Sequence, residues 1–358
     1  MNKLDNPKLV AKLDPAGALK SIGLLGEQVS QVWREFKKVK LPKSYKKINS
    51  IVINGMGGSA LGAHILGELF FDQLKVPFRV INSYLLPAAV DQKTLYIICS
   101  YSGSTEEPLL AFGEAQKRGA KIFGIAAGKN LGQLIKRGKM PGYIFEPKAN
   151  PSKQPRLGLG YTLGAELALF KKLGLIKLTD ADLESSLKNL DGFNRIFGFA
   201  NPAAKNPAKK LASAIHGNAI VVVASEHLSG NAHVFANQLN ETSKTFAAYY
   251  LISELNHHLL EGLANPASNR QSLMFIFLES DLYFAKNQRR YAITEKIVQK
   301  NKVKSISYQV KGKSKLAQVW ECLALSSYAT FYLALLNNVN PNLIPWVDLF
   351  KAELKKKK

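Results

Sequence analysis

The 358-residue chain has only two cysteines, no apolar stretch at its start, few acidic residues and no lysine or arginine in its most conspicuous loops. Each scarcity excludes something. Cys99 and Cys322 are too few for a disulfide framework or a thiolate metal centre, and each borders an apolar run, so both read as buried free thiols in a reducing cytoplasm. The N-terminal MNKLDNPKLVAKLDPAG has no apolar core of the signal-peptide kind. The longest stretch without charge, Cys322 to Val347, is interrupted by Ser326, Ser327, Thr330, Asn337, Asn338 and Pro341, which suits a buried helix better than a bilayer span. With 26 Asp+Glu against 49 Lys+Arg the net charge is +23, which raises nucleic acid, an anionic membrane or an anionic small substrate as partners. A hydrophobic share of 46% and a charged share of 21% are those of a globular chain long enough for about two domains, not of a disordered or collagen-like one.

What is present is alternation. A lysine-rich N-terminal segment (1–45) carries Leu24, Leu25, Val29, Val32 and Phe36 at helical spacing, predicting one or two amphipathic helices. From Ile51, short β-branched runs alternate with helical stretches: IVIN, FRVIN, LYIICS, KIFGIAA and YIFEP, then a mostly helical segment with a linker at NPAAKNPAKK. A second series follows: AIVVVAS, a helix, FAAYYL, a helix, LMFIFLES, a helix, VKSISYQV and a long helix from about Lys315 to Asn337. Such alternation predicts α/β architecture with parallel sheets covered by helices on both faces. The two series align: SIVINGMGGSALGAH falls on AIVVVASEHLSGNAH, with Ala63-His64 on Ala232-His233. An internal duplication of one doubly wound unit is predicted, with domains at 46–205 and 206–358 and with His64 and His233 as packing or surface residues.

The copies differ at the strand ends. The first has Gly55, Gly57, Gly58 and Ser59, then Ser100, Ser102, Gly103, Ser104 and Thr105; the second has Glu226 and, later, Glu279 and Asp281. Uncharged hydroxyl-bearing turns before a helix can cradle a phosphate with backbone N–H groups and no lysine, whereas carboxylates repel one. The anion site is therefore expected in the first copy alone. GMGGSALG is not a Walker loop, and FRVIN ends without the acidic residue that a dinucleotide's ribose requires.

GMGGSALG with SYSGSTEE resembles the SIS (sugar isomerase) domain, and PRLGLGYTLGAELALFKKLGL, NQLNETSK and SELNHH extend the resemblance, from about Asn54 to the C-terminus, to the bifunctional phosphoglucose/phosphomannose isomerase family. The resemblance implies two flavodoxin-like SIS domains and interconversion of glucose 6-phosphate or mannose 6-phosphate with fructose 6-phosphate. Gly57, Gly58, Ser59, Ser100, Ser102 and Thr105 would hold the sugar phosphate, and Glu241 would be the single carboxylate base that an enediolate route needs. Arg156 would supply the cation beside the enediolate oxygens. His257, donated by a partner subunit, would open the sugar ring, since an imidazole exchanges protons near neutral pH. Lys351 aligns with a family lysine, although Asn342 stands where a Thr is usual in the preceding turn.

The resemblance further implies a homodimer with the active site at the subunit interface, sugar phosphates as partners, and no cofactor. His257 and His258 are adjacent and point apart on a helix, so no metal is expected. Two other readings stand beside this one. A sugar-phosphate-sensing regulator would suit the basic charge, but about fifty residues before the first strand are too few for a DNA-binding module, which argues against nucleic acid. An isomerase of another phosphosugar would share every motif. The excess lysines, such as Lys37, Lys38, Lys40 and Lys43, and the tail Lys355 to Lys358, read as solvated surface rather than as a site or a membrane contact.

Overall fold

The computed structural model describes residues 2–356, so Lys357 and Lys358 of the expected solvated tail lie outside the described residues. The N-terminal segment folds into three helices rather than one or two: α1 (Pro7–Leu13), α2 (Ala18–Gly23) and α3 (Leu25–Phe36). Asp14 divides the first two, its carboxylate accepting from the backbone N–H of Ala18 (2.7 Å) and Leu19 (2.9 Å) at the start of α2. α3 buries Leu25, Val29, Val32 and Phe36, the positions at helical spacing.

The first α/β unit runs β1 (Ser50–Asn54), α4 (Leu61–Leu69), β2 (Phe78–Ile81), β3 (Thr94–Ser100), α5 (Glu106–Lys117), β4 (Lys121–Ala126), α6 (Lys129–Lys136) and β5 (Gly142–Ile144). Its sheet has the order β2-β1-β3-β4-β5 and is parallel throughout. Every residue of β3 is buried, as expected of a central parallel strand written as a continuous apolar run. Helices α7 (Leu159–Leu173), α8 (Asp180–Phe197) and α9 (Pro207–Ile215) lead to the second unit. That unit comprises β6 (Ala219–Ala224), α10 (Ser229–Glu241), β7 (Ala247–Leu251), α11 (Asn269–Ser272), β8 (Leu273–Glu279), α12 (Ala285–Lys300) and β9 (Lys304–Gln309). It closes with α13 (Lys315–Leu336) and α14 (Pro345–Lys355). The second sheet, β7-β6-β8-β9, repeats the order β2-β1-β3-β4, so the predicted duplication is visible in the topology. The charge-free stretch from Cys322 to Leu336 lies in α13, which is buried without a break from Ala317 to Leu335, while its remainder to Val347 runs through a turn into exposed α14.

Two expectations are corrected. NPAAKNPAKK is not a linker: Asn206 caps α9, with Pro207 in its first turn. The buried ammonium of Lys209 donates to Asp5 (2.8 Å) and to the carbonyls of Phe199 (2.8 Å) and Asn201 (2.9 Å), tying the segment to the N-terminus. Between β7 and β8 no full helix forms; the chain makes short turns at Glu254–His257 and Glu261–Ala264 and the single turn of α11, where Gly262 and Pro266 break a longer helical run.

The units meet where α4 packs on α10. His64 and His233 lie face to edge with ring centroids 4.5 Å apart, and His233 stacks on Tyr249 at 4.6 Å, so both are packing residues as expected. Burial, then the His233 charge, pushes His64 down to about 4, so it packs as a neutral ring. A Cβ at Gly230 would lie 2.6 Å from the Ile65 backbone, so the helices touch only because that position is glycine. Gly230→Ala is therefore expected to lower unfolding free energy by about 1–3 kcal/mol, read from denaturant midpoints; a loss under about 0.5 kcal/mol would mean that this contact yields freely.

Candidate functional site

In the strand order β2-β1-β3 the chain leaves β1 to one side and returns on the other, so the loops after β1 and β3 face a common crevice, where open α/β sheets bind ligands. The two loops are sewn together: Ser59 Oγ accepts from the Tyr101 N–H at 2.8 Å. Ser100 Oγ lies 2.7 Å from Thr105 Oγ1 and accepts from the Gly103 N–H at 3.1 Å, while the hydroxyls of Ser102 and Ser104 are 3.1 Å apart. Thr105 is the N-cap of α5 but its side chain makes no capping bond, leaving the first amides of that helix without a side-chain acceptor. Hydroxyls and helix-terminal N–H groups converging without a lysine or arginine can hold a phosphate.

The second unit fills the matching place itself. Glu226, 169 positions beyond Gly57, shares its left-handed backbone (φ 47° against 49°). Its carboxylate accepts from the Phe284 N–H, just ahead of α12, and from Asn287 Nδ2 in the first turn of that helix, both at 2.8 Å. An external anion is thus disfavoured there.

A Cβ at Gly58 would come 2.9 Å from the Arg156 backbone nitrogen, so the first loop lies directly against the Pro155–Leu157 turn. From that turn Arg156, 2% exposed, reaches the end of α10. Its Nε donates to Thr242 Oγ1 (3.1 Å), one terminal nitrogen to Gln154 Oε1 (3.1 Å) and Glu241 Oε2 (3.2 Å), and the other to the carbonyls of Pro341 (2.6 Å) and Asn342 (3.1 Å). All five guanidinium N–H donors are thereby engaged. Glu241 remains partly exposed, its other oxygen without a hydrogen bond among the described residues. A carboxylate with one fixed and one open oxygen, tied through Arg156 to the turn that lies against the glycine loop, can take a proton from a bound molecule.

Ser59, Ser100, Ser102, Thr105, Gly57, Gly58, Arg156 and Glu241 thus form one constellation. His257 and Lys351 do not join it within the chain: both are exposed, and neither side chain makes a hydrogen bond or ion pair among the described residues. Sequence reasoning missed Gln154 and Thr242, which flank Arg156 and Glu241, and Lys244, whose ammonium bonds the carbonyls of Thr242 and Asn340. Thr242 and Lys244 lie inside NQLNETSK, so the signal was present without a role attached. Asn342, in the turn that departs from the family pattern, is buried and bonds Asp14 Oδ1 at 2.8 Å. No cluster of three or more potential metal-ligating side chains occurs among the described residues.

Residues 204–354 match the family described as the bacterial phospho-glucose isomerase C-terminal SIS domain. A bifunctional phosphoglucose/phosphomannose isomerase from Caldicellulosiruptor bescii is 33% identical over 341 residues, covering 93% of this chain and 98% of the relative. One from Aquifex aeolicus is 32% identical over 92% of this chain and 97% of its own. A hypothetical protein from Thermus thermophilus has the same fold, with a TM-score of 0.74 at 18% identity over 97% of this chain and 92% of that one.

Beneath the loops lies Glu166 of α7, fully buried, its oxygens met by no N–H or hydroxyl donor and neighboured only by the buried Cys99 thiol, and one of them 2.6 Å from where a Cβ on Gly62 would stand. Burial pushes its carboxyl well above the usual carboxylate range. A proton kept in the folded chain but released in the unfolded one removes stability as pH rises past the ordinary carboxylate range. Glu166→Gln is therefore expected to stabilise the protein, with a gain in denaturant midpoint that grows from pH 5 to pH 8; a pH-independent difference would contradict a protonated Glu166.

Proposed function

The chain belongs to the bifunctional phosphoglucose/phosphomannose isomerase family, and on that premise we propose that it interconverts glucose 6-phosphate and mannose 6-phosphate with fructose 6-phosphate through an enediolate. The observation that carries this reading is the Arg156–Glu241 pair, which ties one carboxylate of the second unit to the turn that lies against Gly58 in the first.

In this reading the phosphate sits on Ser59, Ser100, Ser102, Thr105 and the first amides of α5, with Gly57 and Gly58 against the sugar. Glu241 takes a proton from C1 of the ketose or C2 of the aldose and returns it to the neighbouring carbon. The enediolate has no configuration at C2, so one intermediate serves glucose, mannose and fructose 6-phosphates. Arg156 fixes the carboxylate; because all its donors are engaged, an enediolate oxygen gains its charge by displacing Gln154 Oε1, the neutral side-chain acceptor sharing a nitrogen with Glu241. Nothing is oxidised or reduced overall, so no redox partner enters the balance.

His257 and Lys351 are read as contributions across a two-fold axis. α14 buries none of its residues, and Leu343, Trp346, Val347, Phe350 and Leu354 recur three or four apart and are all exposed. A continuous apolar stripe of this kind is costly in water, and a second copy of the chain would cover it. Buried free thiols at Cys99 and Cys322 fit a cytoplasmic setting.

Purified protein in EDTA should convert both aldose phosphates to fructose 6-phosphate in a coupled assay, and Glu241→Gln should lose about 10²–10⁴ in kcat. No conversion, or a variant equal to wild type, would overturn the reading. The shared site has its own check: Glu241→Gln and His257→Asn chains, each inactive alone, should regain about a quarter of wild-type activity after subunit exchange, since half the dimers carry one intact site. No recovery, with exchange shown by sedimentation of a tagged chain, would place His257 outside its partner's site.

A further inference from the structure

The proton-transfer reading leaves Lys244 unused, yet Lys244 holds the same structure that Arg156 holds. It lies three residues past Glu241 with a left-handed backbone (φ 55°), a conformation uncommon for a lysine. Its ammonium donates to the carbonyl of Asn340 at 2.6 Å and to that of Thr242 at 3.2 Å. The next two carbonyls of the same turn, Pro341 and Asn342, accept from Arg156. Three successive carbonyls are therefore gripped by the two cations that flank Glu241. Besides these, the turn has an internal tie, Asn340 Oδ1 accepting from the N–H groups of Asn342 and Leu343, and one charge-assisted bond on the Asn342 side, from Asn342 Nδ2 to the Asp14 carboxylate.

The dependence runs one way. Arg156 is buried, so a guanidinium N–H that loses its carbonyl finds no water in its place and turns toward another acceptor. Glu241 Oε2, already on that guanidinium, is the nearest charged one. Charge-assisted bonds to the turn are the strong ones, and on the Asn340 side Lys244 is their sole source among the described residues.

We propose that Lys244 is a positioning residue for the proton transfer: by holding the Asn340–Asn342 turn against the end of α10, it keeps Arg156 oriented so that Glu241 presents its open oxygen to the substrate. This rests on the isomerase reading. It adds that the turn leading into α14 is part of the catalytic support, and that the positive charge at position 244 acts through the turn and Arg156, with the phosphate loops untouched.

The test compares Lys244→Met and Lys244→Arg with wild type in the fructose 6-phosphate assay, alongside thermal melts. The methionine variant should lose between about tenfold and a hundredfold in kcat, the scale of a small misplacement of a reacting group. Its KM should stay within about twofold and its Tm within a few degrees, because the phosphate loops and the core are untouched. The arginine variant, which keeps the cation, should recover most of the lost kcat. If methionine leaves kcat unchanged, or raises KM with kcat intact, the proposal is overturned while the isomerase reading stands. Should the methionine variant fail to fold, the arginine variant and Lys244→Gln decide on the same kcat criterion, glutamine being expected to fall and arginine to hold. An inactive wild type would overturn the isomerase reading and this proposal with it.

Discussion

The ion pair between Arg156 and Glu241, 3.2 Å long and spanning the two α/β units, is the contact on which the rest of the site depends. A guanidinium taken out of water costs several kcal/mol unless every donor is met, and here each N–H has a partner drawn from the turn before α7, the end of α10 or the turn before α14. Three segments far apart in the chain are thus obliged to meet at one point. That point lies against Gly58, and hence against the loop whose serine is bonded across to the next. The geometry that the proposed proton transfer would use is a by-product of satisfying one buried cation.

Duplication explains why this point exists. Two copies of one doubly wound unit, packed through α4 and α10, bring the C-terminal end of α10 toward the crevice of the first sheet. After that the copies took different parts. The first kept a glycine and serine turn open to an anion, while the second placed Glu226 in the matching left-handed position and closed the start of α12 with its own carboxylate. In the proposed reading one unit presents the phosphate site and the other the base, so neither copy alone contains the constellation.

Much of this was legible in the sequence, for stated reasons. Central parallel strands are buried on both faces, so LYIICS and AIVVVAS read as strands on composition alone, and the serine turns stand out because four hydroxyls exceed what a helix cap requires. The duplicated pattern then predicts the shared strand order. Other features had no local signature. NPAAKNPAKK looks like a linker, and only the buried partners of Lys209 make it a packed helix start. The run after FAAYYL carries helical spacing that Gly262 and Pro266 interrupt. The acceptors of Arg156 and Lys244 at 340–342 are backbone carbonyls, identical in every sequence, and they lie 185, 186 and 96 positions from their donors. A residue's type can suggest a charge near a reaction, but it does not report which of its donors are already taken.

The central claim, a proton carried by Glu241 between neighbouring carbons of a sugar held by the other unit, is tested most directly by incubating fructose 6-phosphate with the protein in D2O and following C1 and C2 by NMR. A carboxylate base that exchanges with solvent should place deuterium at C1 of the ketose and C2 of the aldose product, and Glu241→Gln should abolish uptake while fructose 6-phosphate still binds. Conversion or deuterium uptake that survives at the wild-type rate in Glu241→Gln would contradict it.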